Sequence, residues 1–261
     1  MSDTPGALPP LPRIPLTPRQ WATFAAHGFK ASAQQHHGDL AVPFGPLIPQ
    51  DAVIFDVGAH AGQYAKLLAR LAPQGTVYAF EPGRYTRAVL MLAMALNRAA
   101  NVRVFPVALG AARATLELRT PVKRSGSYGF GLAHIGQDAT TTRRETVEAI
   151  DIVTMDAFCA FMDIRRLDFI KADIEGWELQ MLKGGEDALQ RFRPCLWLEV
   201  VDASLARAGD SVAALWSFMS ARGFTPYRID DAGRISPTVQ GEGDILWVPQ
   251  ERVGALPVLG G

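Results

Sequence analysis

Two cysteines, Cys159 and Cys195, are all the thiol in this 261-residue chain. Each sits in an apolar run, which suits a small buried hydrophobe and excludes a disulfide framework. No apolar run is long enough to span a bilayer, so no membrane partner is expected. The opening Met1-Ser-Asp-Thr-Pro5 has neither the basic region nor the apolar stretch of a secretory leader, and the expected compartment is the cytoplasm. Charge of either sign is not in excess: 26 Lys and Arg balance 26 Asp and Glu. That balance argues against a nucleic-acid partner, and short pairs such as Arg143-Arg144 read as solvated faces. No Cys, Asp or Glu cluster stands beside His36 and His37, so solvated loop histidines are expected there and metal ligands are not.

What is present is apolar residue, 48% of the chain, enough for one large α/β domain. Residues 1–50 read as a proline-rich arm and an N-terminal helix, with Thr17 as its cap and Pro18 at its first position. That helix is expected to end near His27, at Gly28. Residues 51–261 read as the main domain. Val53–Val57 is a strand apolar enough to be buried on both faces. Gly58 and Gly62 form the turn after it, and an amphipathic helix follows over Tyr64–Leu71. A glycine there lets the backbone approach a ligand, because no Cβ intervenes. The pattern D-x-G-x-x-x-G is not the dinucleotide fingerprint G-x-G-x-x-G. A second strand, Thr76–Phe80, ends at Glu81. An acidic residue at that tip, about 20 residues past the turn, is placed to hold a ribose diol. The two features together favour an adenosine-containing cofactor.

A helix from Arg84 to Ala99 and a third strand, Val102–Ala108, continue the alternation, which implies a doubly wound sheet. The alternation breaks over 111–155. Thr115–Arg119 and Thr146–Ile150 alternate like exposed antiparallel strands, and between them lies a glycine-rich segment with Tyr128, followed by His134. This is expected to be a β excursion with a functional loop over the sheet ends. Leu167–Ala172 is a fourth parallel strand delivering Asp173-Ile-Glu-Gly-Trp-Glu178, and Pro194–Val200 a fifth. A helix covers Ser211–Arg222. Pro226–Ile229 and Asp244–Val248, with only a turn-rich loop between them, are expected to pair antiparallel. Five parallel strands closed by such a hairpin are the layout expected of an S-adenosylmethionine-dependent methyltransferase: α/β, Rossmann-like, class I.

At this point the chain resembles the FkbM family of methyltransferases. The resemblance rests on Val53-Ile-Phe-Asp-Val-Gly-Ala-His-Ala-Gly-Gln-Tyr64, Val77-Tyr-Ala-Phe-Glu-Pro82, Val107-Ala-Leu-Gly110, Thr154-Met-Asp-Ala-Phe158 and Asp168-Phe-Ile-Lys-Ala-Asp-Ile-Glu-Gly-Trp-Glu178. It extends through Met181-Leu-Lys-Gly184 and Arg193-Pro-Cys-Leu-Trp-Leu-Glu199, and covers about residues 51–200. It implies methyl transfer from S-adenosylmethionine, commonly to an oxygen of a small molecule or sugar. On this implication Asp56, Gly58, His60 and Gly62 form the amino-acid end of the cofactor site, Glu81 holds the ribose, and Ala108 and Leu109 touch the adenine.

Methyl transfer needs an acceptor oxygen in line with the sulfonium, and in some cases a base. Asp173 and Glu175 lie where open α/β sheets present reacting groups, and Asp173 is the first choice for acceptor contact or base. The alternative is that Asp173 caps the next helix and Glu175 complements its dipole. Lys171, in a buried strand, needs an anionic partner, with Asp173 and Glu199 as the candidates. Asp173, Glu175 and Glu199 have a spacing that permits a divalent metal, which is not expected. Tyr128 and His134 could close over the acceptor. A nicotinamide-dependent oxidoreductase and a non-catalytic binding protein on the same fold are the competing readings. The proline-rich arm and the exposed strands of the excursion could serve a homo-oligomer interface.

Overall fold

The computed structural model describes residues 17–121, 134–135 and 145–256. Tyr128 and the whole of the glycine-rich segment, 125–132, lie outside the described residues.

Helix α1 (Pro18–Ala33) starts at a capping box in which Thr17 and Gln20 exchange side-chain and backbone hydrogen bonds. It does not end at Gly28, as the sequence suggested, but runs on for more than a turn. A Cβ on Gly28 would lie 2.4 Å from Leu92 Cδ2 in α4 (Arg84–Leu96), so this glycine is a close helix crossing and not a stop. A short helix α2 (Ala41–Phe44) follows and buries Phe44.

The main sheet has β1 (Val53–Val57), β2 (Thr76–Phe80), β3 (Val102–Phe105), β8 (Phe169–Ala172), β9 (Cys195–Val200), β10 (Phe224–Ile229), β11 (Ile235–Pro237) and β12 (Gly243–Pro249). Their order is β11-β10-β12-β9-β8-β1-β2-β3. β3, β2, β1, β8 and β9 run parallel, and β12 enters antiparallel between β9 and β10. The sequence reading had only a loop between the last two strands; β11 stands there, paired antiparallel with β10.

Alternate side chains of β1 enter opposite layers, which is why its apolar run is unbroken. Ile54 packs into the layer of α1, α3 (Gln63–Leu71) and α4, whereas Phe55 and Val57 enter the other. On that second side Phe55, Tyr78, Phe80 and Phe105 surround Phe158 of α5 (Met155–Phe161), mostly edge to face.

The expected third strand is two strands. β3 stays beside β2, the chain breaks at Pro106, and β4 (Val107–Leu109) crosses to a second sheet of order β4-β7-β5-β6. Proline has no N–H to continue the ladder, so the break falls there. β5 (Ala114–Pro121) and β7 (Glu145–Val153) pair antiparallel, and β6 (His134–Ile135) borders β5. The remaining helices, α6 (Glu178–Lys183), α7 (Glu186–Phe192), α8 (Asp202–Arg207) and α9 (Val212–Ala221), lie between the later strands in the chain.

Candidate active site

At the carboxyl end of β1 the chain turns through Gly58 (φ 72°) and Gly62 (φ 89°) into α3. Both angles lie in the left-handed region that favours glycine. Space makes the same demand, since a Cβ on Gly58 would fall 2.1 Å from the Asp173 carbonyl oxygen. The turn after β1 and the end of β8 are therefore in backbone contact. Beside them opens a cavity of about 280 Å³, walled by Gly58–Ala61, Gln63 and Tyr64, by Glu81 and Pro82, and by residues of β4 and β8.

Glu81 is 8% exposed and lines this cavity. Its two oxygens accept the backbone N–H groups of His60 (3.0 Å) and Gly83 (2.9 Å). Burial pushes the carboxyl up to about 7, against the lowering effect of those two bonds. Ala108, Leu109, Leu118 and Trp177 give the cavity an apolar wall.

Lys171 is 2% exposed and reaches the cavity from β8. Its Nζ donates to the Gly58 carbonyl (3.0 Å) and lies 3.5 Å from Asp56 and 4.0 Å from Asp173. Its nearest carboxylate is thus Asp56, which the sequence reading had not proposed as its partner. Asp56 is fully buried and does not line the cavity. Burial raises its carboxyl and the Lys171 charge opposes the rise.

Asp173 lines the cavity with its side chain 43% exposed. It does not cap α6, which has no side-chain cap. The loop is held from the other direction: Glu178, 1% exposed, accepts from Ile174 N (2.9 Å) and Gly176 N (3.4 Å). Glu175 lines the cavity in the left-handed region (φ 56°) and lies 3.9 Å from Arg207. Glu199, at the end of β9, is pushed up to about 8 by burial, then by the charge of Asp173 and a hydrogen bond to it. It pairs across the strands with Asp244 of β12. His134 enters β6 through its backbone, opposite Arg119. Among the described residues no group of three or more His, Cys, Asp or Glu is placed to hold a metal ion.

His37 was expected to be a solvated loop residue. It is exposed, yet it lines the cavity and stacks on Tyr64, with ring centroids 4.5 Å apart and planes 16° from parallel. The Lys171 ammonium lies 4.8 Å from the same ring's centre, and Trp197 Nε1 donates to the Tyr64 hydroxyl at 3.3 Å. No local pattern announces His37, because its neighbours come from α3 and the sheet. Trp177 belongs to the Asp173–Glu178 motif, and its place on the wall follows from the loop that Glu178 holds.

A family model described as the methyltransferase FkbM domain matches residues 56–226. The chain is 26% identical over 150 residues to "Methyltransferase 1" of Beauveria bassiana, covering 53% of this chain and 60% of that protein. It is 25% identical over 162 residues to "Methyltransferase sdnD" of Sordaria araneosa, covering 54% and 62%. The chain thus spans about three-fifths of the length of these curated relatives. Among solved structures, cofactor-bound Rv0187 from MTB superposes with a TM-score of 0.50 at 13% identity, covering 90% of this chain and 91% of that one. The fold is the Rossmann-like class I methyltransferase fold.

Proposed function

We propose, since this chain belongs to the FkbM methyltransferase family, that it is an S-adenosylmethionine-dependent enzyme that methylates a hydroxyl oxygen of a small molecule or sugar. One observation carries the cofactor reading. Glu81 stands at the tip of β2 with each carboxylate oxygen fixed by one backbone N–H, which leaves lone pairs for the two hydroxyls of a ribose. The apolar wall of Ala108, Leu109 and Leu118 suits the adenine, and the glycine turn brings bare backbone to the cavity. The donor set therefore fits the cofactor, which when bound supplies an electrophilic methyl on a sulfonium.

The chain's own residues supply position and proton handling. Asp173, the partly exposed carboxyl on the cavity wall, receives the acceptor hydroxyl and takes its proton. Glu199 steadies that carboxylate by donating its own proton toward it. Lys171, bonded to the Gly58 and Val57 carbonyls, ties the glycine turn to the strand that carries Asp173. The free, buried Cys159 and Cys195 suit a reducing compartment, and we place the protein in the cytoplasm. No helix among the described residues is long and apolar enough to cross a membrane.

The test is calorimetric titration with S-adenosylmethionine, S-adenosylhomocysteine and a nicotinamide dinucleotide, on wild type and Glu81→Ala. Both adenosyl compounds should bind wild type, and the variant should lose about 2 kcal/mol or more for each, as for other buried charged hydrogen-bond partners. Binding of the dinucleotide alone would make the protein an oxidoreductase.

A further inference from the structure

We infer that the N-terminal segment, which lies ahead of the family-matched region, supplies a cofactor-binding residue, His37, and that Lys66 holds it in place. The inference rests on the cofactor reading above. With Glu81 on the ribose and Leu109 and Leu118 toward the adenine, the part of the wall around Tyr64 includes Lys171, Asp173 and His37 beside the glycine turn. That end faces the cofactor's amino acid, whose carboxylate needs donors.

Two side-chain donors at this end, Gln63 and Lys171, already donate within the protein, and His37 does not. Gln63 donates from Nε2 to the Ala31 carbonyl and accepts His36 N through Oε1. Lys171 is shared among the Gly58 carbonyl, the Val57 carbonyl, Asp56 and Asp173. The Tyr64 hydroxyl is bonded to Trp197. Neither ring nitrogen of His37 has a hydrogen bond among the described residues. The imidazole is nevertheless fixed, stacked flat on Tyr64 on a backbone in the left-handed region (φ 58°). Its charged and titratable surroundings are Asp244 of β12, Lys171 of β8, Asp173 just past that strand, Tyr64 of α3 and the adjacent His36.

The loop that carries His37 is fastened to α3. Lys66, 2% exposed, directs its ammonium at the carbonyls of Ala31, Ser32 and Gln34, at the end of α1 where the helix supplies no N–H to its last carbonyls. A cation at a helix carboxyl end is favourable there. Gln35 Nε2 also donates to the Gln63 carbonyl at 3.1 Å, and Arg70 reaches Gln35. So α3 contributes its amino end to the cavity and its outer face to the clamp that sets His37.

The experiment compares two ligands that differ by the amino-acid end: S-adenosylhomocysteine, which has it, and 5′-methylthioadenosine, which lacks it. Calorimetry on wild type, His37→Ala and Lys66→Met gives the ratio of their affinities. His37→Ala should weaken S-adenosylhomocysteine about tenfold and leave methylthioadenosine unchanged. Lys66→Met, which touches no ligand, should lower the ratio in the same direction, and a thermal melt confirms that it is folded. Equal losses for both ligands in His37→Ala, or no loss for either, overturn the assignment. Wild type that binds neither ligand overturns the cofactor reading itself, which separates the two failures.

Discussion

Replacing Lys171 with methionine has a consequence that can be worked out from charge and burial. The apolar stem stays in a position 2% exposed, and the cation 3.5 Å from Asp56 disappears. Asp56 is then a fully buried carboxyl without a counter-charge, and neither of its oxygens has a hydrogen bond among the described residues. Burial already raises this group and Lys171 opposes the rise, so the substitution drives it further up. An isolated buried charge of this kind takes a proton and does not persist. That puts a ceiling on the cost. Protonation costs about 1.4 kcal/mol for each pH unit above the ordinary aspartate value near 3.9, hence about 4 kcal/mol at pH 7. Lost hydrogen bonds to the Val57 and Gly58 carbonyls add about 1 kcal/mol that pH does not alter. The folded variant keeps a proton that the unfolded chain has released, so its stability falls as pH rises and recovers as pH drops toward the ordinary value. Urea unfolding should therefore show a gap from wild type of at most about 5 kcal/mol at pH 7, because burial already raises Asp56 in wild type, and the gap should narrow at pH 5. Adding Asp56→Asn to the variant should remove the part of the pH dependence that Asp56 contributes. A gap of the same size at both pH values would refute the view that Asp56 is the group left uncompensated.

Glu178 is pushed up to about 7, chiefly by burial, and its carboxyl holds the Asp173–Trp177 loop. A folded value above the unfolded one gives stability that is full below the unfolded value and is lost as pH rises to 7, so wild type should resist urea better at pH 5 than at pH 8. Glu178→Gln should flatten that slope by about 1.4 kcal/mol per unit across the window, and an unchanged slope would assign it to other groups. Gly28→Leu should lower the melting temperature by up to about 8 °C, because overpacking against Leu92 costs about 1–3 kcal/mol and helix propensity returns about 1 kcal/mol of it. A higher melting temperature would mean that Gly28 is merely a poor helix residue.

Most of the sheet was legible in the sequence, for a reason that also explains what was missed. β1, β2, β8 and β9 are buried on both faces, so nearly every residue in them must be apolar, and the exceptions stand out. Asp56 and Lys171 are two such exceptions, and they answer each other across adjacent strands in register. Glu81 was legible as a strand-tip carboxylate, because a position at the end of a strand follows from the strand. Pro106 was visible too, but whether a proline bends a strand or divides it between two sheets depends on the partner waiting beyond it, here β7. Gly28 has the composition of a helix stop and the role of a contact, and only the neighbouring Leu92 distinguishes the two.

His37 carries this furthest. On its own segment it is a polar residue in a polar loop, and that local reading is correct about exposure. Its place at the cavity is decided by Lys66 and Gln63, which in sequence are ordinary positions of an amphipathic helix. Lys66 is buried although charged, and a buried lysine must find acceptors. The end of α1 is a set of carbonyls with no partner of their own. Each need is readable alone, but their meeting requires α1 and α3 to be side by side, which follows from the layer they share over the sheet. The rim of the cavity is therefore specified by helix chemistry on its outside, and residues that bind can be found by asking which loops such clamps hold in place.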